Sequence, residues 1–562
     1  MTAVITTQNG YFIVRVPFRY DVKEAIKTIP GAKWNSGLRA WVYPESKYVA
    51  ESLHEVLAWK GVSVAGDAEF NAQIKKRLEE KEAIEPVILN PGELKDIPKT
   101  TIPPFDHQKE AYWLMAKAFG DASDGSDSRP GGGYYLAHDM GTGKSCIIVN
   151  YVMNFCLKRT LIVCPKSVVG EWPTQFEKHS DGSIQCLPLF GGSIKKRLGL
   201  MQDAFESNDS QLAVVINYEA VWREPIASWV LAREWDMIAG DELHRIKTPK
   251  SKVSKFFAKL PAVTSRRAGL SGTPMSNNPL DIWAQMRYLD QRIFGANYVS
   301  FRLRYATMGG YQGRHVIGYR NLDDLHQRFY SVAHRVMKEQ CLDLPPYTDE
   351  ERAVVLGSKA IKAYTEIEEE FVARLAEGEI TVRNALVELL RLQQITGGAT
   401  KLDDGTILEI DRSKEEALAE IFRDLPTNEP VVVFCRFIHD LKAIHRAAKV
   451  TNRKSAELSG RTNELDKWRD SDDIPILATQ ISSGGVGVDM TKAAYCIFYS
   501  LGFSLEKYLQ ARARLHRQGQ TRNVTYIHLK ARLKNHQTVD HKIYRAMKTK
   551  GNIIELVLKD MT

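Results

Sequence analysis

The stretch GYYLAHDMGTGKSCIIVNYVMNF (133–155) decides how the chain is read. Gly133–Ala137 is a short apolar run of strand type, CIIVNYVMNF has helical spacing, and HDMGTGKS (138–145) is the loop between them. A Gly-rich loop between strand and helix presents successive backbone N–H groups to phosphate oxygens, and its glycines let the backbone come close. Lys144 would reach the β- and γ-phosphates, and the Ser145 hydroxyl would ligate Mg²⁺. The generic pattern begins with Gly, and His138 holds that place here. The segment therefore also reads as a Gly-rich turn opening a helix.

Working outward, further apolar runs alternate with amphipathic helical stretches: Thr160–Cys164, Leu212–Asn217, Met237–Ala239 and Arg267–Leu270. Buried runs of this kind predict a parallel sheet with ligands at the carboxyl ends of its strands. A second series comprises Val431–Cys435, Ser455–Leu458, Ile474–Thr479, Ala494–Tyr499 and Val524–Leu529, after a mostly helical stretch from about Ile282 to Asp424. The predicted fold class is α/β, with two parallel-sheet lobes and helical insertions. The first 65 or so residues form a small unit of their own. It has strands at Tyr11–Val16 and Arg39–Tyr43, a helix capped by Asp21 and helical spacing over Glu45–Trp59. A charged helical stretch follows near Gln73–Ala83, and Glu85 to Pro104, with five prolines, reads as a linker. DASDGSDSRPGGG (121–133) reads as a low-complexity surface loop. The predicted organisation is an α+β accessory domain over 1–85, a first lobe over 86–340, and a helical insertion with a second lobe over 341–562.

Composition narrows the class. A chain of 562 residues, 44% hydrophobic and 26% charged, is of globular type and long enough for several cores. The 77 Lys and Arg against 68 Asp and Glu leave a charge of +9, which fits an anionic partner without selecting one. Seven scattered cysteines with no CxxC spacing argue against a zinc ribbon or a disulfide framework and suggest small buried hydrophobes in a reducing compartment. The amino terminus lacks a secretory pattern and no apolar run reaches bilayer length, so an intracellular, cytoplasmic protein is expected.

Two further constellations carry chemistry. DELH (241–244) follows the run Trp235–Ala239, and adjacent acids at a strand end suit metal-assisted hydrolysis. Asp241 would hold Mg²⁺ and Glu242 would polarise the attacking water. In QARARLHRQGQT (510–521), Gln510, Arg514 and Arg517 fall on one face of a helix at i, i+4 and i+7. Such arginines form a phosphate patch or a solvated face; in a two-lobe nucleotide enzyme they stabilise charge developing on a γ-phosphate.

With these residues in hand, the chain resembles the Snf2 family of superfamily 2 helicase-like ATPases. HDMGTGKS, LIVCPKSVVGEW (161–172), VVINYE (214–219), DELHRIK (241–247) and LSGTPMSNNPLDIW (270–283) look like its motifs I, Ia, Ic, II and III. VVVFCRFIHDL (431–441), ILATQISSGGVGVDMTKA (476–493) and ARARLHRQGQT (511–521) look like motifs IV, V and VI. Phe105, His107 and Gln108 match the upstream adenine-recognising motif, and HRVMKEQCLDLPP (334–346) resembles the junction between lobes. Leu243 departs from the usual Ala, His138 and Asp139 from Asp-Glu, and Asp489 from Asn; the apparent catalytic positions are intact.

The resemblance implies two RecA-like lobes and ATP-driven, sequence-independent translocation on duplex DNA. Its implied nucleotide residues are Gln108, Met140, Gly141, Thr142, Gly143, Lys144, Ser145 and Gln510. Ser145 and Asp241 would serve Mg²⁺, Glu242 the water, and Arg514 and Arg517 would be arginine fingers. Pro165, Lys166, Ser167, Tyr218, Arg436, Gly484 and Gly485 fall where family members touch the DNA backbone. Those positions also read as turns or solvated side chains, and Trp172, Trp283 and Trp468 read as core. Of the fourteen histidines, none of which sits in a metal-spaced cluster, His244 reads as a link from motif II to motif III.

Residues 11–44 resemble the HARP module of annealing-helicase members, which recognises DNA junctions. Arg15, Arg19, Lys33, Trp34, Arg39 and Trp41 supply charge interleaved with aromatics, and the two tryptophans read equally as core. The expected role is DNA repair, recombination or fork remodelling, in a bacterial or phage setting. The rival readings are a strand-separating or RNA-directed helicase, a motor that displaces proteins from DNA, and an ATP-gated clamp.

Overall fold

The computed structural model describes residues 1–82, 86–89, 94–121, 132–207, 210–275, 278–309, 315–376, 382–401, 406–481, 488–534 and 536–548. It divides into two compact units, the first comprising Met1–Asp139 and Gly143–Met337, the second Met140–Thr142 and the chain from Lys338 onward.

The first unit opens with β1 (Thr2–Gln8), β2 (Tyr11–Arg15), β3 (Lys33–Asn35), β4 (Ala40–Pro44) and β5 (Ser63–Gly66), in sheet order β3-β4-β2-β1-β5. Alternate residues Ala3, Ile5, Phe12, Val14, Trp41 and Tyr43 face helix Lys47–Trp59 and close a small core. Asp21 does not cap the short helix at Tyr20–Ile26. The N-cap is Arg19, and Asp21 lies one residue inside the first turn with its carboxylate taken by the Arg19 guanidinium fork at 2.8 and 3.1 Å. The charged stretch forms helix Ala68–Glu82. Arg77 on it is 1% exposed, paired with Glu51 at 2.8 Å and donating to the Arg292 carbonyl at 2.7 Å.

The rest of the first unit is built on β6 (Gly133–His138), β7 (Arg159–Cys164), β8 (Ile184–Leu189), β9 (Gln211–Asn217), β10 (Met237–Asp241) and β11 (Arg266–Leu270). A hairpin, β12 (Ala306–Gly309) with β13 (His315–Tyr319), precedes β14 (Ala333–Val336). The main sheet has the order β14-β6-β11-β10-β7-β9-β8, every pair parallel. β6, β9 and β10 are buried almost throughout because helices cover both faces, so they appear in the sequence as unbroken apolar runs. The proline-rich linker lies against this unit: Val87 N–H donates to Ser331 at 2.9 Å, and the backbone of Lys99 exchanges hydrogen bonds with Asn154.

The second unit contains β15 (Tyr347–Val355), a small hairpin of β16 (Ala399–Lys401) and β17 (Ile407–Glu409), then β18 (Val431–Cys435), β19 (Ser455–Leu458), β20 (Ile476–Gln480), β21 (Tyr495–Phe498) and β22 (Val524–Arg532). Its sheet runs β15-β22-β21-β18-β20-β19, again parallel throughout. The stretch from Ile282 to Asp424 is thus not simply helical, since it supplies an edge strand to each main sheet. β15 is TDEERAVV after Tyr347, solvent-facing along nearly its whole length, so no apolar period betrays it. Trp172, Trp283 and Trp468 are core residues, as expected. All seven cysteines are free, but only four are buried; Cys156 is exposed in the turn after helix Lys144–Asn154. Among the described residues no helix is long and apolar enough to cross a membrane.

Candidate active site

The parallel register sets Leu136 beside Leu270 and Gly240 beside Gly269. The loops after β6, β11 and β10 therefore leave the first main sheet at one edge, carrying residues 138–145, 271–275 and 242–247. Gly141 and Gly143 have φ of +84° and +88°, a left-handed backbone that a side chain would strain. At Gly143 a Cβ would also come within 2.1 Å of the Gln108 amide nitrogen, so glycine is required on packing grounds as well. Gln108 is itself set by accepting the Phe105 N–H at 3.1 Å. Lys144 begins the helix, and its amine donates to the carbonyls of His138 and Asp139 at 2.8 and 3.0 Å. Burial holds its pKa below the usual lysine range, against the pull of Glu242 and Asp241. Ser145 follows in the first turn, half-buried.

Asp241 closes β10, with its carboxyl raised far above the usual range by burial and by the neighbouring Glu242. Glu242, also buried, sits at φ +54°, a strained backbone for a residue with a side chain. Its carboxylate accepts from the Ser271 hydroxyl at 3.3 Å, and the Ser271 oxygen lies 2.8 Å from His244 Nδ1. His244 therefore does connect the loop after β10 to the loop after β11. His138, where an acid was expected by resemblance, is fully buried, its Nε2 3.0 Å from His334 Nδ1 on β14. Burial pushes both imidazoles below their ordinary pKa.

Pro165 is buried at the end of β7, with Lys166 and Ser167 exposed beside it. Tyr218 is turned inward: its hydroxyl donates to the Asp241 carbonyl at 2.9 Å and its ring stacks on Phe257. Its backbone alone remains for a phosphate contact.

In the second unit, Arg436 follows β18 and packs between Phe437 and Phe503 while donating to Gln393 Oε1 at 2.7 Å. Burial lowers its guanidinium pKa to about 10. Gln510 and buried Arg514 share helix Leu505–Leu515, with Gln510 donating to Glu506 at 3.2 Å. Burial likewise takes Arg514 down to about 10. Arg517 lies beyond the end of that helix, because His516 leaves helical geometry and Gln520 caps the Leu515 carbonyl at 3.2 Å. The single-face reading therefore holds for Gln510 and Arg514 only. Gly484 and Gly485 lie outside the described residues. Sequence reasoning missed Gln393, which sits outside any quoted motif; Ser271 stood inside the SGTP quotation without a role.

A profile of the SNF2-related domain matches residues 60–400, and one of the helicase conserved C-terminal domain matches residues 413–519. The chain belongs to the SNF2-related family. It is 26% identical over 450 residues to the putative protein p41 of Acyrthosiphon pisum secondary endosymbiont phage 1, covering 75% of this chain and 93% of that protein. Chromodomain-helicase-DNA-binding protein 1-like of Mus musculus is 24% identical over 456 residues, 76% of this chain and 48% of its own. The Sulfolobus solfataricus SWI2/SNF2 ATPase core, solved in complex with dsDNA, is 20% identical at a TM-score of 0.39, covering 83% of this chain and 98% of that one. The chain thus spans nearly all of the phage protein and about half of the mouse one. As an SNF2-related protein with a helicase C-terminal domain it is a nucleic-acid-dependent ATPase.

Proposed function

We propose that the protein is an ATP-driven translocase on duplex DNA, serving repair, recombination or fork remodelling. The reading is supported chiefly by the gathering of Lys144, Asp241 and Glu242 at one edge of the first main sheet, with Glu242 tied through Ser271 to His244. The desolvated Lys144 amine binds phosphate oxygens together with the N–H groups of Gly141–Ser145. Gln108 takes the adenine, and Gln510 is assigned as a further nucleotide contact. The buried Asp241 carboxylate and the Ser145 hydroxyl are hard oxygen donors of the kind that suit Mg²⁺, and these two residues would hold it. Bound Mg²⁺ would neutralise charge on the phosphates. Glu242 orients the attacking water and accepts its proton, while Arg514 and Arg517 stabilise charge developing on the γ-phosphate.

Exposed Lys166 and Ser167, with Arg436, support sequence-independent backbone contact. The amino-terminal sheet is read as an accessory DNA-junction module. Trp34 is 55% exposed and edge-on to buried Trp41, so only the former is available for stacking. ATP hydrolysis measured with no nucleic acid, single strands, duplex, forked DNA and RNA tests the assignment. Duplex or forked DNA should stimulate most, and stimulation by RNA alone would overturn it. Lys144→Ala should abolish turnover with the fold intact.

A further inference from the structure

The second unit carries a set of contacts between the junction-like segment and the segment bearing Arg514 and Arg517. The chain enters this unit at Lys338, on helix Lys338–Cys341, and passes through Leu342–Pro346 into β15. Four side chains or carbonyls along that path grip the segment bearing Arg514 and Arg517. The Lys338 amine donates to the His516 carbonyl at 2.5 Å. His516 Nε2 donates to the Pro345 carbonyl at 2.8 Å, and the Tyr347 ring meets the imidazole edge-on at 5.3 Å. Asp349 accepts a forked pair from Arg512, at 2.8 and 3.1 Å from Nη1 and 3.1 Å from Nη2. The Arg512 guanidinium also lies over Tyr526 and Tyr347 at 4.0 and 4.8 Å, and the Tyr526 hydroxyl donates to the Arg512 carbonyl at 2.8 Å.

We propose that Lys338–Asp349 is a strap that aims Arg514 and Arg517, with Arg512 and His516 as its positioning residues. This rests on the arginine-finger reading given above. The argument is geometric. Arg512 stands two residues before Arg514, and the planar fork on Asp349 resists rotation of the helix about its axis in a way a point charge would not. The His516 carbonyl gripped by Lys338 belongs to the peptide unit that joins His516 to Arg517, so Lys338 sets the direction in which Arg517 departs. Beyond it, Gln520 donates to the carbonyls of Thr491, Ala493 and Leu515, closing the turn from the other side. Arg512 is therefore bound within its own unit by Asp349, Tyr347 and Tyr526. β15 is bound to β22 over nine paired residues, so the strap has a rigid base.

The test uses the full chain. Arg512→Met and Asp349→Asn should each lower kcat for DNA-stimulated hydrolysis about tenfold to a hundredfold, the usual effect of misplacing a reacting group by about an ångström. KM for ATP and the affinity for a fluorescent ATP analogue should stay within about twofold, and Arg512→Lys should recover part of kcat. Asp349→Asn serves if Arg512→Met fails to fold, because it removes the charge and keeps the shape. Arg517→Ala separates the two ideas. If it retains turnover, the arginine-finger reading falls; if it is inactive while Arg512→Met and Asp349→Asn keep wild-type kcat, the strap falls. Loss of kcat that merely follows loss of folded protein, or that comes with an equal loss of ATP affinity, also overturns the strap.

Discussion

His244 Nδ1 lies 2.8 Å from the Ser271 hydroxyl, and that hydroxyl in turn reaches Glu242 at 3.3 Å. One buried oxygen thus reports to the acid proposed to handle water and to a histidine two residues further along the chain. His244→Ala should lower DNA-stimulated hydrolysis about tenfold or more while leaving hydrolysis without DNA less affected, since the link and not the acid is removed. Comparing the two rates in wild type and variant checks this; equal losses would mean that His244 only supports the fold.

Lys166 and Tyr218 both fall on sequence positions associated with DNA, yet one is exposed and the other faces inward onto Asp241. Lys166→Ala should flatten the slope of log affinity against log salt by about one. Tyr218→Phe should leave that slope alone and cost about 1 kcal/mol of stability through the lost hydrogen bond. Titrations of duplex at several salt concentrations distinguish the two.

The second unit holds a dry ion pair. Lys414 reaches Asp540 at 2.6 Å and the Tyr499 carbonyl at 3.0 Å, while Asp540 also accepts from Thr396 at 2.9 Å and Ala531 N–H at 3.0 Å. Asp540→Ala should destabilise this unit by about 3–5 kcal/mol by leaving a buried ammonium unpaired. Lys414→Met combined with Asp540→Leu should restore most of the loss, as chemical unfolding would reveal.

His528 is buried, lying 3.0 Å from the Tyr508 hydroxyl and 3.3 Å from the Glu350 carbonyl, and burial pushes its pKa down to about 3. The fold keeps it neutral, whereas the unfolded chain protonates it near about 6.5. Its contribution is whole above about pH 6.5 and declines as pH falls from there toward about 3, by about 1.4 kcal/mol per unit. Unfolding free energies measured across that window should fall less steeply in His528→Phe.

The two parallel sheets could be read from the sequence because strands such as Val431–Cys435 and Leu212–Asn217 are buried on both faces and so appear as uninterrupted apolar runs. Of the four edge strands of the main sheets, β19 (Ser455–Leu458) alone could be read. β8 is only partly covered and contains Pro188, and β15 faces solvent along TDEERAV. Within the candidate site, residues at element ends such as Lys144 and Asp241 carry their chemistry in local spacing. The His516–Pro345 and Arg512–Asp349 contacts join residues far apart in the chain, for which spacing holds no signal. Arg517 left its expected face because a cap, Gln520, ended the helix early.

Arg77, sunk between Glu51 and the Arg292 carbonyl, gives the amino-terminal sheet a fixed seat instead of a leash. On the proposed reading, nucleic acid stacked on Trp34 would be tied to the same unit that carries Lys166, as a workpiece is held by a jig. Swapping that sheet for another of similar size would then alter which substrates are presented, without retuning the engine that acts on them.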